Sequence, residues 1–353
     1  MPAGLWQFFA GWRGLGRFWL LIASVLAACG IALQLAGPLA PPGPREASIQ
    51  APARSPPPSP VPSNLASQEA VKAPPAQRPG RDTPGPVADP DPALAEPAPG
   101  STSDLLPRIA ADGRMPMQVY AAGFDNTTRR PRVGLLLAGV GLNQNDSDTA
   151  IRSLPDGVTL AISPYAQNVG KLLSAARLAE HEYLLSIPME PQGFPLNDPG
   201  KQALMTNLSP EQNHTRLEWL LSRIGGYVGV TGAEGSLRGE RFASLPDEIN
   251  PILAELAQRG LLYVDPRPGA APLPLVWSRT VDLVVDEPGG AADIDAKLAQ
   301  LAQLAREKSS ALGFAGAVRP VTTQRLAAWA SSLPADGLVL APVSALVRAP
   351  AAP

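Results

Sequence analysis

The sequence predicts an α/β protein, a β/α barrel set behind a transmembrane helix and a disordered Pro/Ala-rich linker. Three observations lead there. Residues 18–40 run without a charge. The 42 prolines of the 353-residue chain crowd most densely into the stretch that follows. From Leu105 onward, apolar runs of strand length alternate with amphipathic stretches of helix length.

The uncharged run FWLLIASVLAACGIALQLAGPLA is long enough, at about 1.5 Å per residue, to cross a hydrocarbon core roughly 30 Å thick. Arg13 and Arg17 precede it without an acidic residue, and Arg45 is the first cation behind it. That asymmetry predicts residues 1–17 in the cytoplasm and a signal anchor over 18–40. Trp12 and Trp19 suit the interface. A cleaved signal peptide is one alternative. A lipoprotein signal is another, since Leu26-Ala27-Ala28-Cys29 has the form of a lipobox. The apolar run from Gly30 to Leu35 argues against both.

Residues 41–104 read as the linker. Proline has no N–H and holds the preceding residue out of the helical region. Few large apolar side chains are present to offset the entropy of ordering. The expectation is an extended, partly polyproline tether that holds a domain away from the bilayer.

Residues 105–348 read as the folded domain and 349–353 as a tail. Strands are predicted at 133–138, 158–162, 183–187, 227–230, 261–264, 283–285, 312–315 and 338–341. Helices are predicted at 168–178, 245–259, 294–307 and 323–331, and from Ser209. There Pro210 takes the first helical position and Gln212 completes a capping box. Gly260 is placed to end the 245–259 helix. Continuous apolar strands alternating with helices imply a buried parallel sheet, and the number of units fits a barrel. An open doubly wound sheet is the alternative. No GxGxxG follows the first strand, which weakens a nucleotide-binding version.

Composition narrows the chemistry. A net charge of −2 without a basic cluster gives nucleic acid no electrostatic footing. Cys29 is the one cysteine, so neither an internal disulfide nor a cysteine zinc site can form. The two histidines, His181 and His214, restrict imidazole ligation and catalysis. His181 is expected to be structural or superficial, at the N-terminal end of its strand. His214 is expected on a helix surface. Trp219 and Trp329 read as packing residues.

Several segments carry a resemblance. They are GVGLN from Gly139, LPDGVTLAISPYA from Leu154, HEYLLSIPMEP from His181 and NDPG from Asn197. GYVGVTGAEGS from Gly226, RGLLYVDPR from Arg259 and APVSALV from Ala341 continue the series. In order and spacing the stretch from about 110 to 348 resembles the divergent polysaccharide deacetylase family. The resemblance implies a deformed β/α barrel, a carbohydrate substrate and, in active members, a divalent metal at the C-terminal mouth. With the signal anchor over 18–40, the expectation is a protein of the bacterial inner membrane, single-pass, with its C-terminal domain in the periplasm. An envelope glycan or a peptidoglycan-related protein would be its partner.

The chain departs from the family pattern at the metal. Ala138 and Gly139 stand where the resemblance implies two aspartates, Ala233 where it implies a histidine, and Gly316 within a second lost histidine segment. These positions cannot coordinate a cation. The expectation is therefore no cofactor and a catalytically silent site. An altered carboxylate site built on Glu234, Asp265 and Asp282, holding a divalent metal, is the alternative. Ser186, Glu190, Asp198, Ser236, Asp265, Arg267 and Trp277 are the candidate pocket residues, with Asp265 expected to pair with Arg267 and Trp277 expected on the mouth side. A role as a non-enzymatic docking protein for cell-wall enzymes is a further alternative.

Overall fold

The computed structural model describes Trp19 and residues 79–82 and 85–350. The chain divides into two compact units, 1–71 and 72–353, and the described residues other than Trp19 belong to the second. The predicted anchor, the lipobox and the linker up to residue 78 lie outside the described residues, Trp19 excepted. Among the described residues no helix is long and apolar enough to cross a membrane.

The elements follow in order. A 3₁₀ turn at Pro92–Leu94 leads into β1 (Ala95–Pro97) and β2 (Leu105–Pro107), then α1 (Pro116–Val119). Next come β3 (Arg132–Val140), α2 (Gln144–Ser153), β4 (Val158–Ile162), α3 (Val169–Leu178) and β5 (Tyr183–Ser186). They continue with α4 (Pro210–Leu221), β6 (Gly229–Thr231), α5 (Glu240–Ala243), α6 (Pro246–Gln258) and β7 (Leu262–Asp265). The last are β8 (Ser278–Thr280), β9 (Leu283–Val284), α7 (Ala291–Lys308), β10 (Ser310–Ala315), α8 (Pro320–Ser332), β11 (Val339–Leu340) and a 3₁₀ turn at Val343–Ala345.

Local chemistry explains the boundaries. Ser209 caps α4, its hydroxyl taking the Gln212 N–H while Gln212 returns to the Ser209 N–H. Gly260, at φ +69°, ends α6 in the left-handed conformation that a C-terminal glycine adopts cheaply. Asn143 caps α2, a helix absent from the sequence reading because its polar run QNDSD hides the apolar stripe.

The main sheet is parallel, in the order β8-β7-β6-β5-β4-β3-β10-β9, with β11 beside the start of β3. Its two edge strands are halves of one stretch, 278–284. The Val281 N–H donates to Asp265 on β7 and the next N–H, of Asp282, donates to Leu312 on β10. Consecutive residues thus bond to opposite neighbours, and the sheet curls back on itself into a deformed α/β barrel.

Alternation sorts the side chains into two cores. Leu136, Ala138, Ala161, Leu184, Val264, Leu312 and Phe314 belong to one cluster, inside the barrel. Leu135, Leu137, Leu160, Ile162, Leu185 and Tyr263 belong to the other, beneath the helices. Each buried Leu or Phe contributes roughly 1.5–3 kcal/mol.

The N-terminal boundary of the folded region needs correction. Residues 85–104, expected in the disordered linker, form the Pro92–Leu94 turn and the β1 strand, which pairs antiparallel with β2. Leu94 and Val87 are buried. Leu94 packs with Met117, Tyr120, Phe124 and Val343 in the inner cluster. The Met117 N–H donates to Gly260, just before β7, so this segment covers the N-terminal end of the strands. A few apolar side chains among the prolines suffice when they have an open barrel floor to cover.

Candidate functional site

The mouth of the barrel is formed where β3, β4, β5, β6, β7 and β10 end. Three chain turns meet there: 139–142 after β3, 231–237 after β6 and 315–317 after β10. They touch backbone to backbone. A Cβ added to Gly139 would stand 3.3 Å from Gly235 Cα and 3.5 Å from the Gly316 carbonyl oxygen. One added to Gly316 would stand 2.7 Å from Ser236 Cα, closer than any side chain can accept. Gly139 also has φ +76°, a conformation that resists an aspartate. Ala138 and Ala233 are fully buried in the inner core. The four degenerate positions are thus not vacant sockets. Backbone and methyl groups fill the space that ligands would need.

Below this seam lies a buried polar layer. Ser163, just beyond β4, takes the Tyr165 N–H and donates to Glu234 Oε1 at 2.6 Å. Glu234 Oε2 is buried with no partner among the described residues, as are Ser186 Oγ and Thr231 Oγ1. Ser186 and Thr231 are register partners across β5 and β6. Burial pushes the Glu234 carboxyl up to about 7, with the Ser163 hydrogen bond opposing. Glu234 is held there by a tight turn in which its N–H and C=O both pair with Leu237.

The other candidates disperse. Asp265, fully buried at the end of β7, is clamped by Arg267, whose Nε and Nη2 donate at 2.9 and 2.6 Å. This is the pairing expected. Asp282 is not at the mouth. It immediately precedes β9, pairs with Arg279 and Lys308, and accepts the Leu312 N–H near the start of β10. Trp277 also needs correction. It immediately precedes β8, half-buried against the inner core, at the opposite end from the mouth. The reason is shared: no helix separates β7 from β8, so the 266–277 loop runs from mouth to floor.

Glu190 is buried and braces its loop, accepting from the Thr206 N–H and hydroxyl at 2.7 Å each and from Arg241 at 3.0 Å. Asp198 and Ser236 are exposed on the mouth side, Asp198 accepting the Gly200 N–H. His181 is fully buried and bridges the carbonyls of Val158 and Ile151, a structural role. His214 faces Glu255 and Glu218 on the surface of α4.

A divalent metal does not fit this arrangement. Among the described residues no three His, Cys, Asp or Glu side chains gather as a metal site. Glu234, Asp265 and Asp282 each have separate partners, and at Gly316 the seam leaves no room for a Cβ against the Ser236 backbone.

The model of the divergent polysaccharide deacetylase family matches residues 135–347. The chain belongs to that family. Membership carries a carbohydrate-related function. An uncharacterized protein from Agrobacterium tumefaciens C58, known as a crystal structure, is 30% identical with a TM-score of 0.65, over 69% of this chain and all of that one. A tryptophan synthase from M. tuberculosis, in its aminoacrylate-bound form, is 16% identical over 57% of this chain and 91% of its own. Its TM-score of 0.30 is too low to carry weight. No curated protein matches the chain.

Two groups of this deacetylase-family barrel escaped the sequence. Ser163 and Thr231 sit directly after or at the end of apolar strands, where an inward-facing hydroxyl is a legible signal. Glu182 is the other. Between His181 and Tyr183 it reads as a charged strand edge, yet it is fully buried.

Proposed function

We propose that this protein is a non-hydrolytic member of its family that recognises envelope carbohydrate. The observation that carries the reading is the closed seam: Gly316 lies against Ser236 so tightly that a Cβ would stand at 2.7 Å. Deacetylation on this fold needs a cation and an activated water, and both need ligands and an open coordination position. What stays accessible is the outer rim, with Ser236, Asp198 and the exposed Leu142 and Leu196. Hydroxyl, carboxylate and apolar groups on a fixed rim suit the polar edges and apolar faces of a sugar. The uncharged run 18–40 is consistent with an inner-membrane anchor holding the barrel in the periplasm.

The test is a paired assay on the detergent-solubilised full chain. Sedimentation with isolated peptidoglycan and N-acetylated glycan fragments is expected to retain the protein. Acetate release from the same glycans, with zinc, manganese or calcium added, is expected to stay at background. Acetate release lost in Asp265→Asn or Glu234→Gln would overturn the reading.

One observation favours an active alternative. Glu234, with a carboxyl near neutrality and one free oxygen, has the character of a general acid or base. Asp282 lies at the opposite end of the barrel and Asp265 is clamped by Arg267, which leaves Glu234 without the free second carboxylate that reading requires.

A further inference from the structure

A second cavity, of about 600 Å³, opens at the floor of the barrel, away from the mouth. The 269–274 loop, the first half of the 278–284 stretch, Lys308 at the end of α7, and Arg348 line it. Its character is cationic. Arg279, Lys308 and Arg348 face Asp282, the one acid among the described lining residues, so two positive charges stand in excess.

Asp282 is already committed to Arg279, to Lys308 at 3.4 Å and to the Leu312 N–H at 2.9 Å. Arg279 is 7% exposed, yet its Nε is buried without a partner among the described residues. Arg348 is tied to Ser278 by two backbone hydrogen bonds, of 2.8 and 3.1 Å, which fix its place, and its guanidinium has no hydrogen-bond or ion-pair partner among the described residues. Burial lowers the Arg279 pKa, Asp282 opposes that, and the nearby Arg348 charge lowers it further. A desolvated guanidinium with an unused donor, beside a second guanidinium, is costly unless an anion joins them.

We propose that this cavity binds a phosphomonoester, with Arg279 and Arg348 as its guanidinium ligands and Lys308 at its rim. Charge selects the class. A phosphomonoester carries about −1.5 to −2 near neutral pH and offers three oxygens to forked donors. A carboxylate would neutralise only half of the excess. Pro272, Leu273, Pro274 and Val281 supply an apolar wall for the organic body of the ester. The site is separate from the mouth and stands whether or not the mouth recognises a glycan.

Titration calorimetry of the full chain with glucose 6-phosphate, inorganic phosphate, glucuronate and glucose tests the proposal. Saturable binding of glucose 6-phosphate is expected, weakening as salt rises, with no binding of glucose. Inorganic phosphate binding as tightly as the ester supports the same site with free phosphate as its ligand. Arg348→Gln combined with Lys308→Gln changes two exposed side chains and should weaken binding roughly tenfold or more while leaving the thermal transition near that of the parent. Three outcomes overturn the proposal: no saturation by either phosphate, an unchanged Kd in the double variant, or glucuronate binding as well as the ester.

Discussion

Ser163 donates a 2.6 Å hydrogen bond to one oxygen of Glu234, and the other oxygen of that carboxyl meets no partner among the described residues. The pair sits in the barrel interior, where an ionised carboxylate with one hydrogen bond is poorly solvated. Much of the behaviour of the mouth follows from this imbalance.

The first consequence is a pH dependence. Glu234 titrates near 7 in the folded protein against a reference of 4.5, so between those values the folded state binds the extra proton. Stability from this group is therefore full below about 4.5 and falls as pH rises through 7. The loss amounts to about 3 kcal/mol at most. Glu234→Gln should be more stable than the parent at pH 8 by about 1–2 kcal/mol, and the advantage should vanish near pH 4.5. Urea unfolding of both proteins from pH 4.5 to 8.5 checks this. A variant less stable than the parent at pH 8 would contradict it.

A second prediction, from the seam above that pair, concerns attempts to restore the metal site. Gly139→Asp, Ala233→His and Gly316→His together put back the ligand types that the family pattern implies. The seam has no room at Gly316, and at Gly139 an added Cβ would press on Gly235 at 3.3 Å. Gly316→Ala alone should cost about 2–3 kcal/mol, because its Cβ meets Ser236 backbone rather than a flexible side-chain tip. The triple variant should unfold readily and hold no stoichiometric zinc. A folded triple variant with one tightly bound zinc, measured by elemental analysis, would refute the closed seam.

The sequence was legible where local chemistry alone decides the outcome. Val158–Ile162 is a strand at the limits its apolar run predicts, and Ser209 caps α4 as its spacing predicts. Legibility fails where burial comes from a distant partner. Ser278–Thr280 contains an arginine and two hydroxyls, yet it is a barrel strand because β7 pairs with it. Sequence alone places Trp277 on the mouth side, in a Pro-rich loop segment, and Asp282 in the altered carboxylate site there. The helix-free 266–277 loop reverses that assignment. The metal positions could be recognised as non-coordinating from residue type, but their closure required seeing Gly139, Gly235 and Gly316 brought together from three loops.

Arg267 gives a third prediction. It holds the buried Asp265 through two side-chain hydrogen bonds and one from its own backbone N–H. Arg267→Ala would leave a fully buried carboxylate with a single hydrogen bond. The expected cost is about 3 kcal/mol, larger than for removing both partners in Asp265→Asn with Arg267→Ala. A double-mutant cycle by thermal or urea unfolding measures the difference. Additive losses would mean that the pair is not coupled.

Glu182 carries the last prediction, at the floor of the barrel. Oε1 accepts from the Thr159 hydroxyl and the Ser344 N–H, both at 3.0 Å. Oε2 accepts from the Ser344 hydroxyl at 2.6 Å and the Ala122 N–H at 3.2 Å. Thr159 in turn accepts the Val343 N–H. One carboxyl therefore joins the segment before β3, the β4–β5 pair and the final 3₁₀ turn. Burial raises its pKa, and the hydrogen bonds from Ser344, Thr159 and Ala122 draw it back. Glu182→Ala strands four donors at once and should cost about 3–5 kcal/mol. The damage should be directional, because the outer helical layer keeps its own core. Limited proteolysis should then cut first near Ala121–Gly123, before the barrel strands. A variant that loses less than about 1 kcal/mol, or is cut first elsewhere, would show that apolar packing by Leu94, Phe124 and Val343 closes the floor without the carboxyl.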